Sequence, residues 1–220
     1  MEIQKGRAFL NRSKIKYYYK GILMEQILLG LVLYNAFFQP SDLQYDTFEI
    51  GQVKLEQNKE TELSFGDDFQ RIEGLSLGSR GYSQATPWLR YGHGTYIYGH
   101  KSESSDGSKK LHHYGGYAGL LAEIHYKQYF GIGALLGGGA SYTEYSGGNL
   151  PDSDRSNYYL LASPYITLGL PLTSTASINL TASTFIMSEP REQIDGGGEG
   201  FEAPHNLENK IGLEIVWSWD

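Results

Sequence analysis

From about residue 48 to the C-terminus, apolar and polar residues alternate with a period of two, and no stretch follows the 3.6-residue period of a helix. The clearest run is Tyr114 to Tyr126. One face carries Tyr114, Gly116, Ala118, Leu120, Ala122, Ile124 and Tyr126, and the other Gly115, Tyr117, Gly119, Leu121, Glu123 and His125. After Lys127-Gln128-Tyr129 the alternation resumes from Phe130 to Tyr142, which predicts a long hairpin around a tight turn. The same reading gives strands over Tyr158–Leu170, Ala176–Met187 and Lys210–Trp219. An earlier hairpin spans Arg71–Ser83 and Trp88–His100, and a weaker strand, Phe48–Gln57, brings the number to eight.

The connections alternate as strictly as the strands. They are short after strands two, four and six (Gln84–Pro87, Lys127–Tyr129, Pro171–Thr175). They are long and polar elsewhere, as in Lys101–Lys110, Ser146–Asn157 and Ser188–Asn206. All short turns therefore fall at one end and all long loops at the other, the asymmetry of a barrel with short periplasmic turns and longer external loops. Thirteen residues, Tyr114 to Tyr126, tilted by ~40° at ~3.3 Å per residue, rise roughly 30 Å, enough for an apolar band of ~25 Å. The less apolar face is rich in Gly, Ser and Thr and carries isolated charges, Arg80, Arg90, Glu123, Lys210 and Glu214, which are expected to pair in a narrow lumen. Arg71 and Glu73 share the face of Leu75 and Leu77 and are placed at the loop-side membrane edge. Aromatic residues gather at the two ends: Tyr126, Tyr129, Phe130, Trp217 and Trp219 at the turns, Tyr114, Tyr142, Tyr145 and Tyr158 at the loops. Rings at headgroup level form such girdles.

Composition agrees with strands and turns. Gly accounts for 28 of 220 residues and Tyr for 18, against a usual Gly share of ~7%. The absence of cysteine removes disulfides and thiolate metal sites. A net charge of -7 leaves no basic stripe for nucleic acid. Residues 1–40 form a separate segment, in which a basic cluster (Lys5, Arg7, Arg12, Lys14, Lys16, Lys20) precedes the apolar run Ile27–Leu33. That order is the shape of an export signal; a retained membrane-associated helix and a buried element of the fold are the other readings.

These features resemble the small eight-stranded outer-membrane barrels of Gram-negative bacteria, the OmpA and OmpX type. The likeness covers residues 48–220 as architecture and implies an all-β, up-and-down antiparallel transmembrane barrel in the cell outer membrane. The closing segment carries a more specific likeness. Lys210, Gly212, Ile215 and Trp217 match the polar, Gly, apolar and aromatic positions of the family's C-terminal assembly signal, although Ser218-Trp219-Asp220 follow the aromatic. By resemblance, the barrel-insertion machinery and outer-membrane lipid, lipopolysaccharide included, are partners. Another outer-membrane protein or a surface ligand is a further expected contact.

Two other chemistries are candidates, the first of them implied by the resemblance. Lipid A-modifying enzymes exist on this architecture, and His93 with Ser79 on the neighbouring strand is the candidate pair here; the nearest acid on that face is Glu73. His112-His113 with His100 could gather a divalent metal, but adjacent strand residues point to opposite faces, so neither a metal nor any other cofactor is assigned. Asp67-Asp68 and Asp152-x-Asp154 read as solvated loops rather than calcium sites. A structural or interaction module without a large pore is the leading expectation, because eight strands enclose a lumen that side chains fill. A soluble ligand-binding barrel, with its apolar face turned inward, is the remaining alternative.

Overall fold

The structure, a computed structural model, describes residues 45–56, 72–103, 107–147, 153–188, 191–193 and 206–218. Residues 1–40, Asp67, Asp68, Arg71, Asp152 and Trp219 lie outside the described residues, as do the side chains of Glu73, Tyr145 and Asp154. The strands in chain order are β1 (Tyr45–Glu56), β2 (Ile72–Thr86), β3 (Leu89–Glu103), β4 (Lys109–Tyr126), β5 (Phe130–Gly147), β6 (Ser153–Pro171), β7 (Ala176–Thr184), β8 (Ile186–Met187), β9 (Arg191–Gln193) and β10 (Asn206–Ser218). Each pairs antiparallel with its chain neighbour where a hairpin joins them, and β10 pairs with both β1 and β7, so the sheet closes on itself. β7, β8 and β9 all line up along β6 as one interrupted strand, which makes the barrel eight-stranded. The result is an up-and-down transmembrane β-barrel.

The interruption has a local cause. β7 and β8 keep a single register along β6, and the break at Phe185 falls beside Pro164, which carries no N–H to donate to a ladder. Phe185 turns its ring into the interior, where it meets the Tyr117 ring edge-on at 5.5 Å, and its N–H bonds to the Glu208 carbonyl at 3.2 Å, continuing the register of β7 on β10.

Polarity is reversed relative to a soluble barrel. Leu120, Ile124, Leu136, Leu160, Leu168, Leu170, Leu213 and Ile215 stand exposed on the outside, while Arg80, Arg90, Glu123, Lys210 and Glu214 are buried within. An apolar face turned outward is the arrangement for a hydrocarbon surround, and it overturns the soluble-barrel alternative, which needs that face inside.

Interior volume is filled by a cross-strand rule that alternation alone does not reveal. Inward tyrosines sit directly opposite inward glycines: Tyr96 opposite Gly78, Tyr98 opposite Gly115, Tyr159 opposite Gly139, Tyr165 opposite Gly133. In each case a methyl group on the glycine would collide with the partner's ring, at 2.0 Å for Gly78 and 2.5 Å for Gly139. In these four pairs Gly and Tyr are two sides of one packing arrangement: the glycine vacates the space that the ring of the adjacent strand lies across.

Strand ends differ from the sequence expectation. β1 starts at Tyr45 rather than Phe48, and β3, β4, β5 and β6 run well into the segments expected as loops, leaving only 104–108 and 148–152 between them. Polar residues on the outer side of a strand are indistinguishable from loop residues until the level of the membrane edge is known.

Substituting Gly78 by Val is expected to lower barrel stability by about 1–3 kcal/mol, because the new side chain overpacks against Tyr96. Urea unfolding of the lipid-reconstituted protein, followed by tyrosine and tryptophan fluorescence, measures it.

Candidate functional site

The lumen is organised in two layers. Toward the short turns lies an ion network. Arg80 on β2 donates from Nε to Glu214 Oε1 on β10 at 2.8 Å, and its Nη2 lies 2.5 Å from the same oxygen. Lys210 on β10 reaches Glu49 on β1 at 2.6 Å, and Arg80 Nη2 lies 3.7 Å from Glu49. Arg90 on β3 meets Glu123 on β4 at 2.6 Å. Three cations face three carboxylates, so these buried inward charges sum to zero. Neutral groups add hydrogen bonds to these carboxylates. The Tyr82 hydroxyl donates to Glu123 Oε2 at 3.1 Å and the Asn179 amide to Glu214 Oε2 at 3.2 Å. Rings cover the cations, with the Lys210 ammonium 3.6 Å from the Tyr96 centroid and the Arg90 guanidinium 4.2 Å from that of Tyr82. Glu49 and the tyrosines are the members that sequence reasoning missed. Glu49 lies in the weakest strand, and Tyr82 and Tyr96 have no assigned role until cross-strand pairing places them inside.

Toward the loops the lumen is apolar and aromatic: Val53, Tyr98, Leu111, Tyr117, Leu121, Leu135, Tyr159, Leu161, Phe185 and Leu207 form one cluster. The gap beside Arg80 is about 10 Å³, room for one water at most. Below the ion network the lumen widens into a vestibule of about 450 Å³ at the short-turn mouth, with Arg90 and Asn179 in its wall. A solute entering this vestibule meets first the paired charges and then the ring cluster.

The assembly-signal residues divide between faces. Lys210 and Gly212 point inward, whereas Ile215 is exposed outside and Trp217 is half-buried beside Asp46. Of the aromatics, Tyr126, Phe130 and Tyr158 are exposed on the outer wall, and Tyr114 and Tyr142 are directly paired and half-buried. Trp88 and Tyr91, both exposed, join the turn-side group.

His93 and Ser79 lie on the outer face of adjacent strands, but not opposite one another: His93 pairs with Gly81 and Ser79 with Thr95. Ser79 is 0% exposed and its Oγ makes no hydrogen bond, so no Ser–His hydrogen bond exists. The acid near His93 is Asp46, not Glu73. It is carried by the first turn-side residues of β1, faces outward across Gly81 and acts electrostatically on His93. Starting β1 at Phe48 hid it from sequence reasoning. A nucleophile without accessible surface cannot reach a lipid ester.

The wall also rises unevenly. β1 and β10 have 12 and 13 residues, β4 and β5 have 18 and β6 has 19. At ~3.3 Å per residue and ~40° tilt this is roughly 30 Å of height against 45 Å. Above the Tyr114–Tyr142 pair the outer surface turns charged: Lys101 and Lys110 meet Glu103 at 3.3 and 3.8 Å, and His112 meets Glu144 at 3.7 Å. A hydrogen bond from Lys101, aided by the nearby Lys110 charge, holds the Glu103 carboxyl below the usual carboxylate range. His112 and His113 thus belong to a strand and not to a loop base, His112 facing out and His113 buried inside.

No protein-family model matches the chain, and no curated protein does. Among solved structures it is similar to Ail, the attachment invasion locus protein of Yersinia pestis, at 11% identity over 80% of this chain and 98% of Ail, with a TM-score of 0.45. Neisserial surface protein A has 10% identity over 80% and 96% of the two chains and a TM-score of 0.48. The outer membrane protease OmpT of Escherichia coli has 10% identity over 82% and 98% and a TM-score of 0.37.

Two outcomes follow from this geometry. Arg90→Met leaves Glu123 buried without its cation and costs about 3–5 kcal/mol, whereas the Arg90→Met, Glu123→Leu double variant regains most of that loss; urea midpoints of the reconstituted barrels compare them. Ser79→Ala and His93→Gln leave the acylation of cellular lipid unchanged, as read by mass spectrometry of extracted lipid A and phospholipid.

Proposed function

We propose that this chain is an integral outer-membrane β-barrel serving as a structural and interaction module, with no large pore, that presents its raised wall to a partner outside the cell. The observation that carries the reading is the contrast between the two parts of the molecule. The lumen is closed by paired charges and packed rings, and the wall of β3 to β6 continues beyond the aromatic level with a charged outer surface. Function then resides on the exterior, where a surface ligand or another outer-membrane protein is the partner. Lipid, lipopolysaccharide included, contacts the apolar belt and its girdles. β10, with Ile215 and Trp217 on its outer side, is the segment that the insertion machinery reads before β1 closes the barrel, and residues 1–40 are the export signal.

Heating tests location and closure together. In SDS, the unboiled membrane fraction runs at a different mobility from the boiled one, because every wall strand is paired within the closed sheet. Absence of a shift, with the chain in the soluble fraction, would remove the reading. In planar bilayers the purified barrel gives no stepwise conductance of porin size; such steps would place function in the lumen instead.

A further inference from the structure

One row of the inner wall, a single step above the Tyr114–Tyr142 pair, carries His100, His113 and Thr143 on β3, β4 and β5. His100 and His113 are directly opposed, and both are in phase with the inward-facing Tyr98 and Leu111. Opposed residues of an antiparallel pair have Cβ atoms ~4.5–5.5 Å apart, a separation from which two imidazoles can take one ion. His113 is 0% exposed and its ring is held from two sides. Its Nδ1 lies 2.6 Å from Thr143 Oγ1, and its face stacks on Tyr98 at 5.7 Å between centroids. With Nδ1 engaged by the hydroxyl, Nε2 is the nitrogen that a metal would take, and the hydroxyl acts as the outer partner that fixes ring orientation. His100 is half-buried, while the Nε2 atoms of both rings are buried.

We infer that His100 and His113 form a two-imidazole site for a divalent transition metal drawn from the external solution. Zn²⁺, Cu²⁺ and Ni²⁺ suit imidazole nitrogen, and water completes the coordination. Hard ions such as Ca²⁺ are disfavoured, because among the described residues no carboxylate faces inward in this row: Glu144, paired with His112, lies on the outer side. The sequence pairing of His112 with His113 is replaced by one across strands, which the register of β3 on β4 alone brings together. This site is independent of the partner reading above, since it is built entirely on the inner wall.

The test uses the full chain folded in detergent micelles, titrated with Zn²⁺ by calorimetry and with Cu²⁺ by electron paramagnetic resonance. The expected result is one ion per chain, with nitrogen superhyperfine structure from two imidazoles. His100→Asn weakens binding by about tenfold or more, while His112→Asn leaves it unchanged. His113→Gln is expected to abolish the two-nitrogen signature, and heat-dependent mobility in SDS reports whether each variant is folded. No binding by the unaltered chain, binding indifferent to His100→Asn, or binding lost with His112→Asn would each overturn the inference.

Discussion

Closing eight strands into one sheet leaves a narrow cylinder that must be filled without leaving a charge alone, and most of the molecule answers that requirement. Filling is done by rings laid across glycines, as Tyr96 lies over Gly78 and Tyr159 over Gly139. Neutrality is reached by drawing charges from five different strands: Glu49 from β1, Arg80 from β2, Arg90 from β3, Glu123 from β4, and Lys210 and Glu214 from β10. A carboxylate taken out of water costs several kcal/mol unless it is paired and hydrogen-bonded. The network is thus a condition of closure as much as a reward for it: β10 carries both a cation and a carboxylate whose partners are on β1 and β2, so the last strand is matched to the first by charge as well as by backbone pairing.

That dependence explains which parts of the fold were legible in the sequence. Alternation within a strand names its two faces, and Arg80, Arg90, Glu123, Lys210 and Glu214 fall on one side by parity alone. What alternation cannot supply is the identity of the residue across the strand. Tyr82, Tyr96, Tyr98 and Tyr165 acquire meaning only beside their glycines and cations, and His100 meets His113 only through register. Asp46 illustrates the same limit at a strand end. Two residues before the first clear apolar position, it looks like linker until pairing with Gly81 sets it near His93. The break in the seventh strand has the same origin, since Pro164, on a different strand, is what stands beside it.

The two ends of the barrel obey different solvents. Below the Tyr114–Tyr142 pair a polar side chain facing outward is costly, and the outward side chains of β4 to β6 there are apolar. Asp46, Ser79 and Thr95 on β1 to β3 face outward yet are almost wholly covered by neighbouring atoms of the wall, His93 is half-buried, and Gln52 and Thr184 are exposed. Above that pair, Lys101, Lys110, Glu103, His112 and Glu144 face water and hold only weak, solvent-screened surface pairs. Such pairs do little for stability, so the length of β4 to β6 is not explained by folding.

Selection for stability alone would end these strands near the aromatic level, as β1 and β10 do. The five residues of β4 and five of β5 beyond the Tyr114–Tyr142 pair must each be ordered at a backbone cost of ~1–2 kcal/mol, offset here by ladder pairing and little apolar burial. The side of the wall that faces the lumen does bury groups at this level, Leu111 and His113 among them, but the charged outer side gains nothing by rising. A sheet that is expensive to order and cheap in contacts is retained for what it presents. On the proposed reading the rim meets the partner, and the packed lumen is the rigid post that holds it in place.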